Sequence, residues 1–353
     1  MGLRRAVDGP GLAGRRHGDG RRALPGPCRR RPPAQEGTRV NLSVIIVTYR
    51  SGGYIARCLA AVERAAKAVD AEVIVVDNNS PDDTVEVVQA AAPWARVVAR
   101  QENGGFAEGC VAGAEVARGR HLVFVNPDAE VRPDAFAELL ACAARHPRAG
   151  IVGGRCVTEA GDNDPRSWWG RPTPWSALCF ATGLSTAFPG SSLFDPESPV
   201  TWTGERRVPI VTGALMLVDR RLWDEVGGFD THIFMYGEDA DLCLRARAAG
   251  YRPMVTDRAV FVHPGGLSSS SLNKLVLLFT GKVTVVRRHF PRGLRAAGVF
   301  LLLFGVWLRG TLSRRVSSPD ADRQGRPTAR GGDWAELWAL RAKWSGGWDA
   351  RGA

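Results

Sequence analysis

Four polar clusters in this chain of 353 residues each follow a short apolar run: Thr48-Tyr49-Arg50, Asp77, Asn103-Gly104-Gly105-Phe106 and Asn126-Pro127-Asp128. Asp77 is an acceptor-only carboxylate, suited to the imide N–H of uracil or thymine or to a ribose hydroxyl. Gly104 and Gly105 let backbone come close to a ligand, and the helix start after them favours anionic groups. Asp128 offers hard oxygen ligands to a divalent cation, which would neutralise a diphosphate leaving group. One Asp after a strand is more often a cap or a turn residue. Four such clusters in order are much harder to explain as punctuation.

The elements that must position these clusters can be read from periodicity. Residues 42–47 (LSVIIV) form a β-branched apolar run and predict a buried strand. Helical spacing over about 53–69 leads to a strand over 72–76 that ends at Asp77. A helix is predicted over 82–92, with Ser80 as its cap and Pro81 in its first turn. Strands over 96–99 and 121–125 flank a helix over 106–118. Further on, a strand over 208–218 and a helix over 220–226 precede a helix over 238–249. Alternation of this kind predicts an α/β fold with a mostly parallel central sheet and helices on both faces. Ligands in such sheets gather beyond the carboxyl ends of the strands, where the four clusters fall. Residues 162–202, rich in Pro, Ser, Gly and Trp, are predicted to be irregular, as an acceptor-facing lid or an ordinary variable insertion.

The net charge of +11 is mostly a property of one end. The first 39 residues hold ten Arg against three acids, which leaves +4 for the rest. That segment is poor in apolar residues and cannot offset the entropy of ordering itself. It reads as a basic flexible arm or as an extension upstream of the true start, the second being favoured. No aromatic residue interleaves its arginines, so nucleic acid is not an expected partner. It also lacks the apolar stretch of a secretory signal. Seven scattered cysteines without a CxxC pair fit neither a zinc site nor a disulfide framework, and point to a reduced, cytoplasmic setting.

The runs VIIVTYRS, VVDNNSPDDT, NGGFAEG, FVNPDAE and FMYGEDADLCLRARAAGY together resemble glycosyltransferase family 2, and most closely its bacterial rhamnosyltransferase-like branch. The resemblance covers roughly residues 41–271. It implies a GT-A fold over 40–271, a nucleoside-diphosphate sugar donor, Mg²⁺ or Mn²⁺ as cofactor, and inversion at the anomeric carbon. By position it implies that Thr48, Tyr49, Asp77 and Asn103 hold the nucleoside, with Arg50, Gly104 and Gly105 beside them. Asn126 and Asp128 take the place of the family's DxD metal motif, with Asn126 where the first carboxylate would stand. His263 matches a late histidine that in some relatives completes the metal site. Gly213 resembles the position where the chain passes the donor sugar, and Tyr236 is placed to shape an acceptor pocket.

A catalytic base is expected from Glu238-Asp239. An acceptor hydroxyl is a poor nucleophile, and a carboxylate within hydrogen-bond reach can take its proton during attack. Asp239 is the first choice and Glu238 the fallback, both at a helix start whose dipole favours the ionised form. Asp241 should point away from Asp239.

The expected donor is dTDP-rhamnose before a UDP- or GDP-sugar, and the acceptor a cell-wall or surface glycan, lipid-linked or not. Residues 272–353 are predicted to be basic and apolar helices. No carboxylate occurs between Asp257 and Asp320, and an apolar stretch over 296–308 lies within that segment. It is too short for a comfortable span, which needs about 20 residues. It suits a buried helix or one lying on an anionic leaflet, which would make the protein peripheral to the inner face of the plasma membrane. A helix over 333–348 carries Trp334, Trp338 and Trp344 as interface anchors or as a docking face. A dinucleotide oxidoreductase is disfavoured, since GxGxxG is missing after the first strand. A processive synthase is disfavoured too, for want of an apolar stretch of 18 residues. A non-catalytic nucleotide-sugar-binding protein on the same fold remains the alternative.

Overall fold

A computed structural model describes residues 40–263, 271–312 and 331–350. The basic segment 1–39 lies outside them. The first half alternates as the periodicity requires: β1 (Leu42–Thr48), α1 (Ile55–Ala66), β2 (Ala71–Asp77), α2 (Thr84–Ala91), β3 (Arg96–Ala99), α3 (Gly105–Val116), β4 (His121–Val125). Next come β5 (Glu130–Val131), α4 (Ala135–Arg145), β6 (Ile151–Val157), β7 (Trp168–Trp169), α5 (Pro174–Thr182), α6 (Leu184–Ala187), β8 (Glu205–Arg207) and β9 (Ile210–Val211). The sheet-bearing part closes with β10 (Leu215–Asp219), α7 (Arg220–Val226), α8 (Glu238–Ala248) and β11 (Met254–Val262). Among the described residues four α-helices follow: α9 (Ser271–His289), α10 (Arg295–Leu312), α11 (Gly331–Ala339) and α12 (Arg341–Trp344).

The central sheet runs β3-β2-β1-β4-β10-β6-β11-β5, with β8 beside β11. Strands β3, β2, β1 and β4 are mutually parallel, and β10 inserts antiparallel between β4 and β6. One face is covered by α1, α2 and α4 through Leu59, Val62, Val88, Phe136 and Leu139. The other is covered by α3, α7 and α8 through Ala107, Cys110, Leu222, Trp223 and Leu242. Burial on both faces is why β1 and β4 read as unbroken apolar runs rather than as alternation.

Several expectations are corrected. The strand over 208–218 is two strands, β9 pairing with β7 and β10 joining the main sheet, with a break at Thr212-Gly213-Ala214. Ser80 caps no helix, because its hydroxyl and N–H both go to Asp77; α2 starts later, at Thr84. Residues 162–202 are not irregular throughout. They contain α5, closed by a reciprocal capping pair between Thr173 and Ser176, with Pro174 at its first position and Gly183 left-handed at its end. Five strands had no counterpart in the periodicity: β5, β6, β7, β8 and β11. β6 carries Gly153 and Gly154, where a Cβ would sit 2.4 Å from Val211 and 2.3 Å from the Ala259 carbonyl.

The C-terminal helices form a third core with α5, built on Phe279, Val283, Leu302, Val306 and Trp344. The 333–348 region is two helices, not one, and Trp344 is fully buried, with its indole N–H donated to the Leu337 carbonyl at 2.9 Å. It is a docking face. The apolar stretch of α10 is also longer than its composition suggested. Arg292–Leu312 makes 21 residues of mean hydropathy 1.4, long and apolar enough to cross a membrane by length and composition.

Candidate functional site

The β1–β2 register sets Thr48 opposite Asp77, and Thr48 Oγ1 donates to Asp77 Oδ1 at 3.0 Å. Ser80 adds its hydroxyl to Oδ1 at 2.6 Å and its N–H to Oδ2 at 2.9 Å. Asp77 is 3% exposed, yet Oδ2 keeps room for one more donor. Ser80 Oγ in turn accepts the Arg50 N–H at 3.0 Å, which ties the loop after β1 to the loop after β2. Tyr49 stands exposed beside them, with the Arg50 guanidinium 5.6 Å from its ring centroid. Among the described residues three non-glycines have left-handed backbone: Arg50 (φ 54°), Asn79 (φ 59°) and Tyr236 (φ 64°). All three border this edge of the sheet. Such conformations cost of order 1–3 kcal/mol each and persist only where surroundings fix them.

The Asn103-Gly104-Gly105 turn is used differently from the expectation. Asn103 Oδ1 accepts the Gly105 N–H at 3.0 Å, turning the chain into α3. Gly105 has φ 86°, and a Cβ there would lie 2.1 Å from the Phe234 carbonyl oxygen, which already accepts the Phe106 N–H at 2.8 Å. A Cβ on Gly104 would meet Glu108, which is paired with Arg100. The close approach is therefore to protein, and the glycines couple the start of α3 to the loop that carries Tyr236. Asn78, which the sequence did not single out, joins the two sides. It is buried, donates to the Gly105 carbonyl at 2.9 Å, and accepts from Arg100 at 3.1 Å.

Asn126 and Asp128 follow β4, and His263 follows β11. His263 Nε2 lies 3.1 Å from Asp128 Oδ1 and 3.2 Å from Asn126 Nδ2, so three residues far apart in sequence meet. A half-turn of the Asn126 amide would present its oxygen in the same place. Burial would raise the Asp128 pKa, but the hydrogen bond and charge of His263 outweigh it and hold the carboxyl below its ordinary value. Arg166 donates to the His263 carbonyl at 2.9 Å and is clamped by Asp164, so it fixes the histidine's backbone. Lys274, from the first turn of α9, feels the charges of both Arg166 and Asp128. Neither Arg166 nor Lys274 carried a sequence signal, since each reaches this group only through the fold. One carboxylate, one amide oxygen and one imidazole make a donor set that fits Mg²⁺ or Mn²⁺.

Elsewhere Cys142, His146 and Glu205 come within 4.8 Å of one another. Glu205 already accepts from Arg145 and from His146 at 2.6 Å, an ion pair that fastens α4 to β8.

The acid pair opens α8. Asp239 Oδ2 accepts the Gly213 N–H at 3.2 Å, and Oδ1 accepts the Ala240 N–H at 2.7 Å. The break between β9 and β10 thus exists to present Gly213 to Asp239. A Cβ on Gly213 would meet only ordinary contacts, at 3.5 Å from Phe106 and 3.7 Å from Asp239. Glu238 is buried, and its Oε2 has no hydrogen-bond partner. Here the helix-dipole expectation is corrected. Burial pushes both carboxyls up, Glu238 to about 8 with the Asp239 charge adding to the effect. Asp239, with two N–H donors, is the better holder of the pair's negative charge. Asp241 does face elsewhere: it is buried, accepting from His289 at 2.8 Å and from Arg245 at 2.7 Å.

The model of the family described as Glycosyl transferase family 2 matches residues 43–195. The N-acetylglucosaminyl-diphospho-decaprenol L-rhamnosyltransferase of Mycobacterium tuberculosis is 28% identical over 250 residues, covering 63% of this chain and 75% of that protein. The O-antigen biosynthesis protein RfbC of Myxococcus xanthus is 28% identical over 158 residues, 42% of this chain and 11% of its own. Among solved structures, a mannosyltransferase from Pyrobaculum calidifontis, in complex with GDP-Man and Mn²⁺, superposes with a TM-score of 0.51 at 20% identity. That superposition covers 86% of this chain and 80% of the other. The chain is a glycosyltransferase on the GT-A fold, and over residues 43–195 it is similar to glycosyltransferase family 2.

Proposed function

We propose that this enzyme moves a sugar, rhamnose before others, from a nucleoside diphosphate to a hydroxyl of a cell-wall or surface-glycan acceptor carried on a lipid, with inversion. The observation that carries the reading is a carboxylate held in place for chemistry. Asp239 is pinned by the Gly213 N–H. In the same sheet, Asp77 ends β2 and the Asn126–Asp128–His263 group lies past the ends of β4 and β11. The named activity of the mycobacterial relative supports rhamnose and a lipid-linked acceptor. The ligands in the archaeal mannosyltransferase structure support a nucleotide sugar and a divalent cation.

In this reading Asp77 Oδ2 takes a base or ribose donor, and Thr48, Tyr49 and Arg50 line the same edge. Asn103, Gly104 and Gly105 shape the turn through which Phe106 grips the acceptor loop. Asp239 receives the acceptor hydroxyl proton as the oxygen attacks the anomeric carbon and the nucleoside diphosphate departs from the opposite face. Glu238, protonated beside it, keeps a second negative charge out of the pocket. Tyr236 stands at the acceptor side, and Gly213 at the donor sugar. Asp128, Asn126 and His263 would hold Mg²⁺ or Mn²⁺, whose charge neutralises the leaving diphosphate. Arg166 and Lys274 add fixed positive charge nearby. The acceptor places the work at the inner face of the plasma membrane.

Thermal stability against dTDP, UDP and GDP, each with and without Mn²⁺, tests the donor, because ligand bound only to the folded state raises apparent stability. A metal-dependent rise with dTDP, lost in Asp128→Asn, and rhamnose transfer from dTDP-rhamnose are expected. A rise with no transfer to any lipid-linked acceptor would favour a non-catalytic binding protein, and no rise with any nucleotide would overturn the reading.

A further inference from the structure

We propose that the outward face of α10 is a docking ridge that seats this protein on an anionic lipid bilayer, lying in the interface rather than crossing it. The ridge is Phe300, Phe304 and Trp307, which are 63%, 36% and 40% exposed. Their spacing of four and three residues stacks them along one helix face, with ring centroids 6.3 and 5.4 Å apart. Exposed Leu294 and Leu312 stand at the two ends. Three aromatic rings in a continuous exposed line are not the scattered apolar residues of an ordinary surface.

The opposite stripe of the helix excludes a span. A Cβ on Gly298 would lie 2.7 Å from Val286, one on Gly305 2.6 Å from Phe180, and one on Gly310 3.2 Å from Ala335. Close packing therefore runs the full length of the helix, against α9, α5 and α11 in turn. Arg309 locks the far end, donating to the Phe180 carbonyl at 2.7 Å and to Thr186 at 2.9 Å. Crossing a bilayer would strip away this whole face, whereas lying flat leaves it intact and buries only the ridge.

Charge selects the occupant. Residues 271–312 hold seven Lys or Arg and no Asp or Glu; of these, Lys282 is paired with Glu197 and Arg288 with Asp230 and Asp349. Arg287 and Arg292 are exposed and have no carboxylate partner among the described residues. A second copy of the chain would bring an equally basic strip against this one, while an anionic leaflet complements it. The proposal goes beyond the transfer reading and stands without it.

The test is co-sedimentation of the full chain with phosphatidylcholine vesicles and with equal mixtures of phosphatidylcholine and phosphatidylglycerol, with no donor or acceptor present. Failure here would leave transfer activity untouched, so the two readings fall separately. Wild type should pellet with the anionic vesicles. F300S/F304S/W307S should bind roughly tenfold more weakly or worse, as three aromatic side chains stay in water. R287Q/R292Q, which leaves the ridge in place, should lose the preference for anionic vesicles, and this variant decides the matter if the triple variant does not fold. Wild type left in the supernatant with both vesicles overturns the proposal. So does a folded triple variant that binds like wild type, or a wild-type dimer that the triple variant converts to monomer in sedimentation equilibrium.

Discussion

Between residues 42 and 262 the sheet is packed on both faces, and its polar side chains are drawn to one edge. Between 271 and 350 the helices share a third core, but α10 is packed on one side only, and its other side is left apolar and exposed. In the first region every buried carboxylate at the edge is matched by named donors, Glu238 excepted. In the second the exposed aromatic line has no partner among the described residues. The contrast separates two ways of building function: a site assembled from strand ends needs internal polarity, whereas a surface for an apolar phase needs only an unpartnered face. The regions meet at a seam beside the acid pair. Gly237 starts α8 with φ 98°, and a Cβ on Gly281 of α9 would lie 2.1 Å from the Tyr236 carbonyl oxygen. Asp241 is bound there by His289 and faced by Arg288, both from α9.

Asp239→Asn breaks the comparison hardest, since it removes only the base. Turnover should fall about 10²–10⁴-fold while the melting temperature holds, a result read by initial rates and calorimetry. In the wild type the acid limb of kcat/KM should lie above the ordinary carboxylate range, because burial raises the Asp239 pKa.

Next in size is Asp241→Asn, which cuts the seam without touching the edge. Burial alone would raise this carboxyl, but His289 and Arg245 hold it at about 2. Its stabilisation is thus present above the unfolded carboxylate value and is lost as pH falls through about 2. Loss of about 3 kcal/mol is expected at neutral pH, shrinking towards pH 2 in denaturant titrations.

Gly281→Ala should cost about 1–3 kcal/mol through overpacking against the Tyr236 backbone, and should lower turnover as α8 shifts. An unchanged rate in a destabilised protein would mean that the seam holds the helices without positioning the base.

Smallest is Glu238→Gln. The folded-state pKa of Glu238, about 8, lies above its unfolded value. Its favourable contribution therefore holds below that unfolded value and is lost as pH rises through about 8. The variant's melting temperature should fall less than the wild type's between pH 5 and pH 8, by roughly 2–4 °C for each kcal/mol relieved.

Much of the edge was legible because it is local. Asp77, Asn126 and Asp128 stand directly after apolar runs, and the strands β3 and β4 begin and end where the runs do. What failed to show was what depends on contact. Ser80 looked like a helix cap because Ser-Pro-Asp is a common helix entry, yet Asp77 claims both its donors. Gly105 looked like a ligand cradle, yet it is the Phe234 backbone that demands a glycine. Arg166 had no pattern at all, and its role comes from lying under His263, 97 residues away in the chain.

By itself the sequence determined which residues could do chemistry and that they sit at strand ends, because side-chain type and hydrophobic period are local properties. Only the tertiary structure decided their protonation and their partners. It buried Glu238 and set Asp239 against Gly213, pushing both carboxyls up. It gave Asp241, two residues on, cationic partners that hold it down. A carboxylate's affinity for its proton is set by how much water it loses and which charges replace that water, and neither quantity is written in the order of residues.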